Sequence, residues 1–167
     1  MAFNSFKGKA GISAVEILIV VFIISIALTA LIGVVSFSLA GSVLSRKTVQ
    51  AEALARGAIE ITRNFRDGTS WNINGLGAVL AGTPYHFRKT TDIPKQWQLA
   101  QGEESILGFS REVVFGDAFR DASDNIVDSG GTKDPETKKV TVIVSWQEKS
   151  RSHQISLFTY LTNWQSP

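Results

Sequence analysis

Apolar residues follow three different spacings along this chain. Residues 17–45 carry no charge and are almost continuously apolar. In residues 44–65 apolar residues return mostly at intervals of three or four, and from residue 83 onward they alternate with polar ones. About 20 apolar residues suffice for a helix to cross a bilayer. The three spacings therefore predict a lipid-embedded helix, an amphipathic helix and a β-sheet, in that order.

The two helical patterns follow each other without a break. The second forms a stripe on one helix face, made of Leu44, Ala51, Leu54, Ala58, Ile61 and Phe65,. Gly68 is a plausible end signal. One helix over residues 13–66 is predicted, about 80 Å long at about 1.5 Å per residue. Its first half is apolar all round, and its second half packs on a folded domain.

Five alternating segments predict strands, at residues 83–89, 96–100, 108–116, 139–146 and 153–164,. The polar residues 147–152 predict a loop that joins the last two strands as a hairpin. The glycine-rich residues 68–82 fit no phosphate-binding motif and predict a connector with a short helical or turn segment. A long helix followed by four or five mostly antiparallel strands predicts the α+β class.

The composition excludes several kinds of chemistry. The chain has 167 residues and no cysteine, so disulfides, thiol catalysis and cysteine-ligated metals are excluded,. The formal charge of +2 is spread out and gives no nucleic-acid signal,. His86 and His153 both lie in predicted strands, with no carboxylate at ligand spacing. No catalytic motif is present, so we expect neither an enzyme nor a cofactor.

One segment is rich in aspartates: Asp117, Asp121, Asp124, Asp128 and Asp134. Calcium prefers such oxygen ligands, but the spacing does not fit the EF-hand. A solvated loop without a metal is therefore predicted, and a calcium site is the alternative.

The first eleven residues resemble the basic start of an export signal, with Lys7 and Lys9 and no acidic residue,. An ordinary secretory signal cut after Ala40 is one interpretation, although its apolar region would be unusually long. A plain uncleaved anchor is another. Lysine and arginine flank both ends of the apolar run, so orientation is argued from the large polar C-terminal part, which we expect to be exported.

Gly11 precedes the apolar run, and Glu16 is the fifth residue after it. This combination resembles the class III signal of type IV pilins and of the pseudopilins of type II secretion. The resemblance implies that a prepilin peptidase cuts between Gly11 and Ile12, and that Ile12 then becomes an N-methylated first residue. Phenylalanine is the usual first residue in that family, and Ile12 departs from it.

The resemblance also implies a role for Glu16. In a filament of such helices, the carboxylate of one subunit neutralises the buried Ile12 ammonium of a neighbour, because a buried charge is far less costly when paired. The alternative is a glutamate that only reaches the membrane surface. The later segments "EALARGAIEITRNFRDG" and "KKVTVIVSW…ISLFTYLTNW" resemble minor pilins and pseudopilins of the PilV- and GspI-like branches.

We therefore expect a leader at residues 1–11, a transmembrane and assembly helix at 12–41, and an exported globular domain at 42–167. The expected function is that of a structural, minor subunit of a type IV pilus or pseudopilus. Its expected partners are prepilin peptidase, other pilin or pseudopilin subunits and the inner-membrane bilayer. A monomeric, single-pass membrane-anchored binding domain is the alternative.

Overall fold

A computed structural model describes residues 13–148 and 150–164 of the chain. The chain divides into two compact units, Met1–Arg46 and Lys47–Pro167. One helix, α1 (Ala14–Asp67), contributes to both. The predicted helix over residues 13–66 is thus confirmed to within a residue at each end.

In the second unit, helix α1 packs on the sheet through small residues. Ala51, Ala55 and Ala58 are almost completely buried, and Thr62 and Phe65 continue the same face. The sequence pattern had placed two larger residues, Leu54 and Ile61, on this stripe, and both are only half-buried. Alanines at the centre of the interface bring the helix axis close to the strands, so the larger side chains lie at its rim.

The described residues form a sheet of seven strands, and every pairing is antiparallel. The strands are β1 (Pro84–Lys89), β2 (Trp97–Gln101), β3 (Glu104–Ile106), β4 (Phe109–Arg120), β5 (Ile126–Val127), β6 (Thr132–Glu148) and β7 (Arg151–Thr162). The main strand order is β2-β1-β4-β6-β7, and the short strands β3 and β5 each pair with β4. A single turn of 3-10 helix, Leu76–Ala78, lies in the glycine-rich connector.

The α+β class is therefore confirmed, while the expected count of four or five strands was too low. β3 and β5 are too short to show an alternating pattern of their own. The predicted loop at 147–152 was also wrong in extent, because β6 continues to Glu148 and β7 begins at Arg151. Polar residues at the end of a hairpin predict a loop from the sequence, but here their backbones pair across the two strands.

The core lies between helix α1 and the inner face of β4 and β6. On β6, Val140, Val142 and Val144 are completely buried and alternate with half-exposed residues. The β4–β6 register shifts between Asp117 and Ala118. Because a bulge shifts the register of one strand, the residues that face the core change from odd to even numbers, or the reverse, beyond it. Accordingly, the buried positions of β4 change from odd to even numbers at this point.

Candidate functional site

The long helix begins at a serine cap. The Ser13 Oγ accepts a hydrogen bond from the Val15 N–H at 3.4 Å. The Ser13 carbonyl accepts from the N–H groups of Glu16 at 3.0 Å and Ile17 at 3.3 Å. A serine here satisfies amides that have no partner within the helix. Glu16 consequently lies in the first turn, where a negative charge interacts favourably with the helix dipole.

Ser13 and Glu16 also have the spacing of a capping box. In that motif, a serine at the helix start is followed three residues later by a glutamate, whose side chain accepts a hydrogen bond from the backbone amide of the serine. The sequence "SAVE" contains this signal, which the prediction based on the spacing from Gly11 to Glu16 did not include. Glu16 therefore stands at the position of a capping-box glutamate at the helix start, and its pairing with another subunit stays a prediction.

The expected processing site falls at the edge of the described chain. Gly11 and Ile12 lie outside the described residues, so cleavage after Gly11 and methylation of Ile12 stay predictions. Glu16 lies within the described part, and its side chain is exposed to solvent. Its carboxylate is therefore accessible to a partner group.

The first unit presents an uninterrupted apolar surface. Residues 13–43 are all exposed, and this surface includes Phe22, which is 66 % exposed, and Phe37, which is 84 % exposed. Within the described part of the chain, one helix is long and apolar enough to span a membrane, and its most apolar 18-residue window has a mean hydropathy of 3.1. Residues 17–45 would extend about 44 Å as a helix, which exceeds the roughly 30 Å of a bilayer core.

Two hydroxyl groups within this apolar segment are satisfied by the helix itself. The Ser25 hydroxyl donates to the Val21 carbonyl at 2.7 Å, and the Thr29 hydroxyl donates to the Ser25 carbonyl at 2.8 Å. An unsatisfied polar group costs several kcal/mol in hydrocarbon. Because both hydroxyls have partners one helical turn away, they add little to the cost of burying this segment in lipid.

An arginine that is ion-paired within the sheet also donates a hydrogen bond to the second half of the helix. Arg111 on β4 donates from Nη1 to the Leu54 carbonyl of the helix at 3.0 Å. Its Nε and Nη2 both donate to Glu104 Oε1 on β3, at 2.9 and 2.6 Å. The Arg111 side chain is 9 % exposed and that of Glu104 is 22 % exposed. The alternation of residues 108–116 puts Arg111 on the same face as Phe109 and Val113, but it gives no partner for the charge.

The aspartate segment is not the simple solvated loop that the sequence suggested. Asp117 lies in β4 and is half-buried. Its Oδ2 pairs with Lys133 at 2.6 Å and its Oδ1 with Lys138 at 2.9 Å. The hydrogen bond from Lys133, followed by that from Lys138, holds the pKa of the Asp117 carboxyl below its ordinary value. Two lysine ammonium groups thus occupy the positions around this carboxylate in which a cation would bind.

The next aspartates also have partners of their own. Burial acts to raise the pKa of Asp134, but the hydrogen bonds that it accepts, above all from Arg120, outweigh burial and lower it. Arg120 also pairs with Asp124 at 3.5 Å. Asp121 accepts hydrogen bonds from the backbone N–H groups of Ser123 and Asn125 at 2.9 Å each. These contacts stabilise the connection between β4 and β6 through protein groups.

The remaining candidate groups have structural contacts. His86 Nδ1 lies 3.2 Å from the Gly102 carbonyl oxygen, and His153 stacks on Trp146 with ring centroids 5.4 Å apart. Among the described residues, no three or more His, Asp or Glu side chains are grouped as metal ligands. The first turn of the helix and its exposed apolar segment therefore form the candidate functional site.

Comparisons with protein families, with curated proteins and with solved structures give no match for this chain. Its function is therefore argued from the residues and their geometry alone.

Proposed function

We propose that the chain is a structural, minor subunit of a type IV pilus or of a type II secretion pseudopilus, anchored in the inner membrane before assembly. One observation carries the proposal. A helix of 54 residues exposes its apolar first part on all sides, begins with an accessible glutamate in its first turn, and ends packed on a folded sheet domain. A plain anchor needs the apolar length but no glutamate five residues after a glycine.

Processing is the first test of this proposal. Prepilin peptidase removes residues 1–11, so N-terminal sequencing of the protein extracted from membranes should begin at Ile12. Mass spectrometry of the first peptide then reports whether Ile12 is methylated. A mature protein that begins at Met1 favours the membrane-anchored binding domain, and one that begins at Gly41 indicates an ordinary secretory signal.

Glu16 has two possible roles, and two substitutions separate them. Glu16→Gln keeps the hydrogen-bonding geometry of a capping box, in which glutamine also occurs, but removes the charge. Ser13→Ala removes the cap and keeps the charge, and an N-cap contributes about 0.5–2 kcal/mol to helix stability. If Glu16 pairs with a neighbouring ammonium, removing its charge breaks a buried pair, which typically costs about 3–5 kcal/mol.

We therefore expect Glu16→Gln to be inserted and cleaved like the parent but absent from filaments, and Glu16→Asp to assemble at an intermediate level. Ser13→Ala should assemble better than Glu16→Gln. Full assembly of Glu16→Gln together with poor assembly of Ser13→Ala would show that the local role dominates and that pairing between subunits is wrong.

A subunit at the tip of a filament has no further subunit on one side, so its Glu16 would have no incoming ammonium to pair with. The assembly assay alone does not test the pairing for such a subunit, and cross-linking should accompany it. The chain has no cysteine, which makes any introduced cysteine unique. One copy with Ser13→Cys and a second copy of this chain with Ile17→Cys should form a disulfide in assembled filaments. Assembled filaments without this cross-link would exclude a close approach between the helix starts of neighbouring subunits.

A further inference from the structure

Strand β7 forms one edge of the sheet and is unusually open for an edge strand. It pairs with β6 over its whole length, and among residues 13–148 and 150–164 no further strand follows it in the sheet order. Proteins usually protect edge strands by short length, charges, proline or bulges. β7 has twelve residues, and from Ser152 to Thr162 it contains no Lys, Arg, Asp, Glu, proline or glycine. Its β6 register is also regular.

The ladder geometry shows which backbone groups face outward. The Asn163 N–H donates to the Glu136 carbonyl at 2.8 Å, which continues the register of the Thr137–Thr162 pair. Hydrogen-bonded pairs alternate with non-hydrogen-bonded pairs in an antiparallel ladder. The odd-numbered residues of β7 therefore bond to β6, and the even-numbered ones direct their N–H and C=O groups away from it. In agreement, the Thr162 carbonyl accepts a hydrogen bond from Arg66 Nη1 at 3.5 Å.

Within the described residues, the five other outward-facing residues have no partner for these backbone groups: Ser152, Gln154, Ser156, Phe158 and Tyr160. Phe158 in addition exposes 64 % of its surface. Its ring lies 6.3 Å from that of Tyr160 and 5.0 Å from Lys139 Nζ. An extended backbone is the ligand that can satisfy such a row of donors and acceptors, and an apolar side chain is the neighbour that would cover Phe158.

A second copy of this chain does not match the charge at this edge. Arg151 is an exposed cation at the start of β7, and β7 itself has no carboxylate side chain. In two copies joined antiparallel through β7, Arg151 of each copy would therefore meet no acidic residue of the other strand. A segment of a different polypeptide can supply that carboxylate.

We propose that β7 binds an extended segment of a different polypeptide, which adds to the sheet as an antiparallel strand. The recognised segment has no charge along its length and has an apolar residue beside Phe158. It carries a carboxylate at its C-terminal end, which lies opposite Arg151, an exposed cation at the start of β7. β7 belongs to the second unit and the apolar run to the first, so the inference does not rest on the proposed filament assembly.

Designed peptides can test this proposal on the full-length protein in detergent micelles. The probe is the fluorescein-labelled peptide TVTFTVTVE, with binding measured by fluorescence anisotropy. A control peptide has proline at its fourth and fifth positions, which removes backbone donors from both edges. We expect the probe to bind and the control to bind at least about tenfold more weakly, because each lost hydrogen bond weakens binding several-fold. Equal binding of the two peptides overturns the proposal.

Matched variants at one position locate the binding edge. Ser156→Pro removes an outward N–H and leaves the β6–β7 hydrogen bonds in place, whereas Ser156→Ala keeps the backbone intact. Phe158→Lys places a charge on the edge, and it tests the same edge if Ser156→Pro does not fold. We expect at least about tenfold weaker probe binding for Ser156→Pro and Phe158→Lys, and parental binding for Ser156→Ala. Parental binding by a folded Ser156→Pro and by Phe158→Lys contradicts the proposal.

Two further measurements test the direction and the occupant. Moving the glutamate of the probe to its N-terminus should weaken binding about two- to fivefold, as expected for an exposed ion pair, and Arg151→Glu should remove this preference. A preference for the N-terminal glutamate contradicts the antiparallel direction. Ser156→Cys alone, oxidised in membranes, should stay monomeric. A disulfide-linked dimer would show that a second copy occupies the edge and would overturn the proposal.

Discussion

Replacing Glu104 with alanine should destabilise the sheet domain far more than replacing another glutamate in an ion pair. Arg111 would keep its hydrogen bond to the Leu54 carbonyl but lose both of its bonds to Glu104. Breaking a buried ion pair typically costs about 3–5 kcal/mol. Since Glu104 is 22 % exposed, water compensates part of this loss, and we expect a decrease of about 2–3 kcal/mol in the free energy of unfolding.

Glu60 provides the matched control. It pairs with Arg63 at 3.0 Å, but the two side chains are 63 % and 47 % exposed, so Glu60→Ala should cost about 0–0.5 kcal/mol. Urea unfolding of a soluble fragment that begins at Ser42, followed by circular dichroism, measures both variants. With a typical slope of about 1–2 kcal/mol per molar urea, Glu104→Ala should lower the midpoint by about 1–3 M.

A double variant tests the mechanism. Glu104→Ala combined with Arg111→Met removes both charges, and we expect it to be more stable than Glu104→Ala alone, because the uncompensated guanidinium is gone. If Glu104→Ala and Glu60→Ala lower the stability equally, the Arg111 pair is effectively solvated and the reasoning from its burial is wrong.

Four further outcomes are expected. The fragment from Ser42 should be soluble and show mixed helix and strand signals by circular dichroism, and a disordered spectrum would mean that its core needs a partner. Excess calcium and chelator should give the same melting midpoint for this fragment, whereas a shift of several degrees would indicate a bound ion. Asp117 has a lowered pKa, so it stabilises the fold fully above the ordinary aspartate pKa and less as pH falls through the lowered value. Asp117→Asn should therefore be less stable than the parent at neutral pH and lose less stability in acid, as urea midpoints at pH 7 and pH 3 would report. Gly77→Ala should cost about 1–3 kcal/mol, because a Cβ there lies 2.6 Å from Trp71 Cδ1. Gly57→Ala, which has no such neighbour, should stabilise the fold by about 0.5–1 kcal/mol. Equal urea midpoints for these two variants would contradict the close approach at Trp71.

Local patterns were sufficient to predict the main elements. The helix from Ala14 to Asp67 follows from its apolar run, its amphipathic stripe and Gly68, and these signals depend only on neighbours along the chain. The five longer strands were likewise predicted, because a sheet with one covered face imposes a period of two on its residues. The start of the candidate site, Ser13 to Glu16, also carries a local signal, although the sequence prediction did not include its capping-box spacing.

Tertiary structure decided the pairings, because partners distant in sequence leave no local pattern. Glu104 and Arg111 meet through the β3–β4 pairing, and Leu54 joins them from a helix more than 50 residues away. The same holds for Asp117, whose lysine partners lie on β6, where the sequence suggested a solvated loop. The openness of β7 is also a tertiary property. Its alternating pattern predicts a strand, but only the strand order places it at the edge, where five of its residues have no partner for their backbone groups within the described part of the chain.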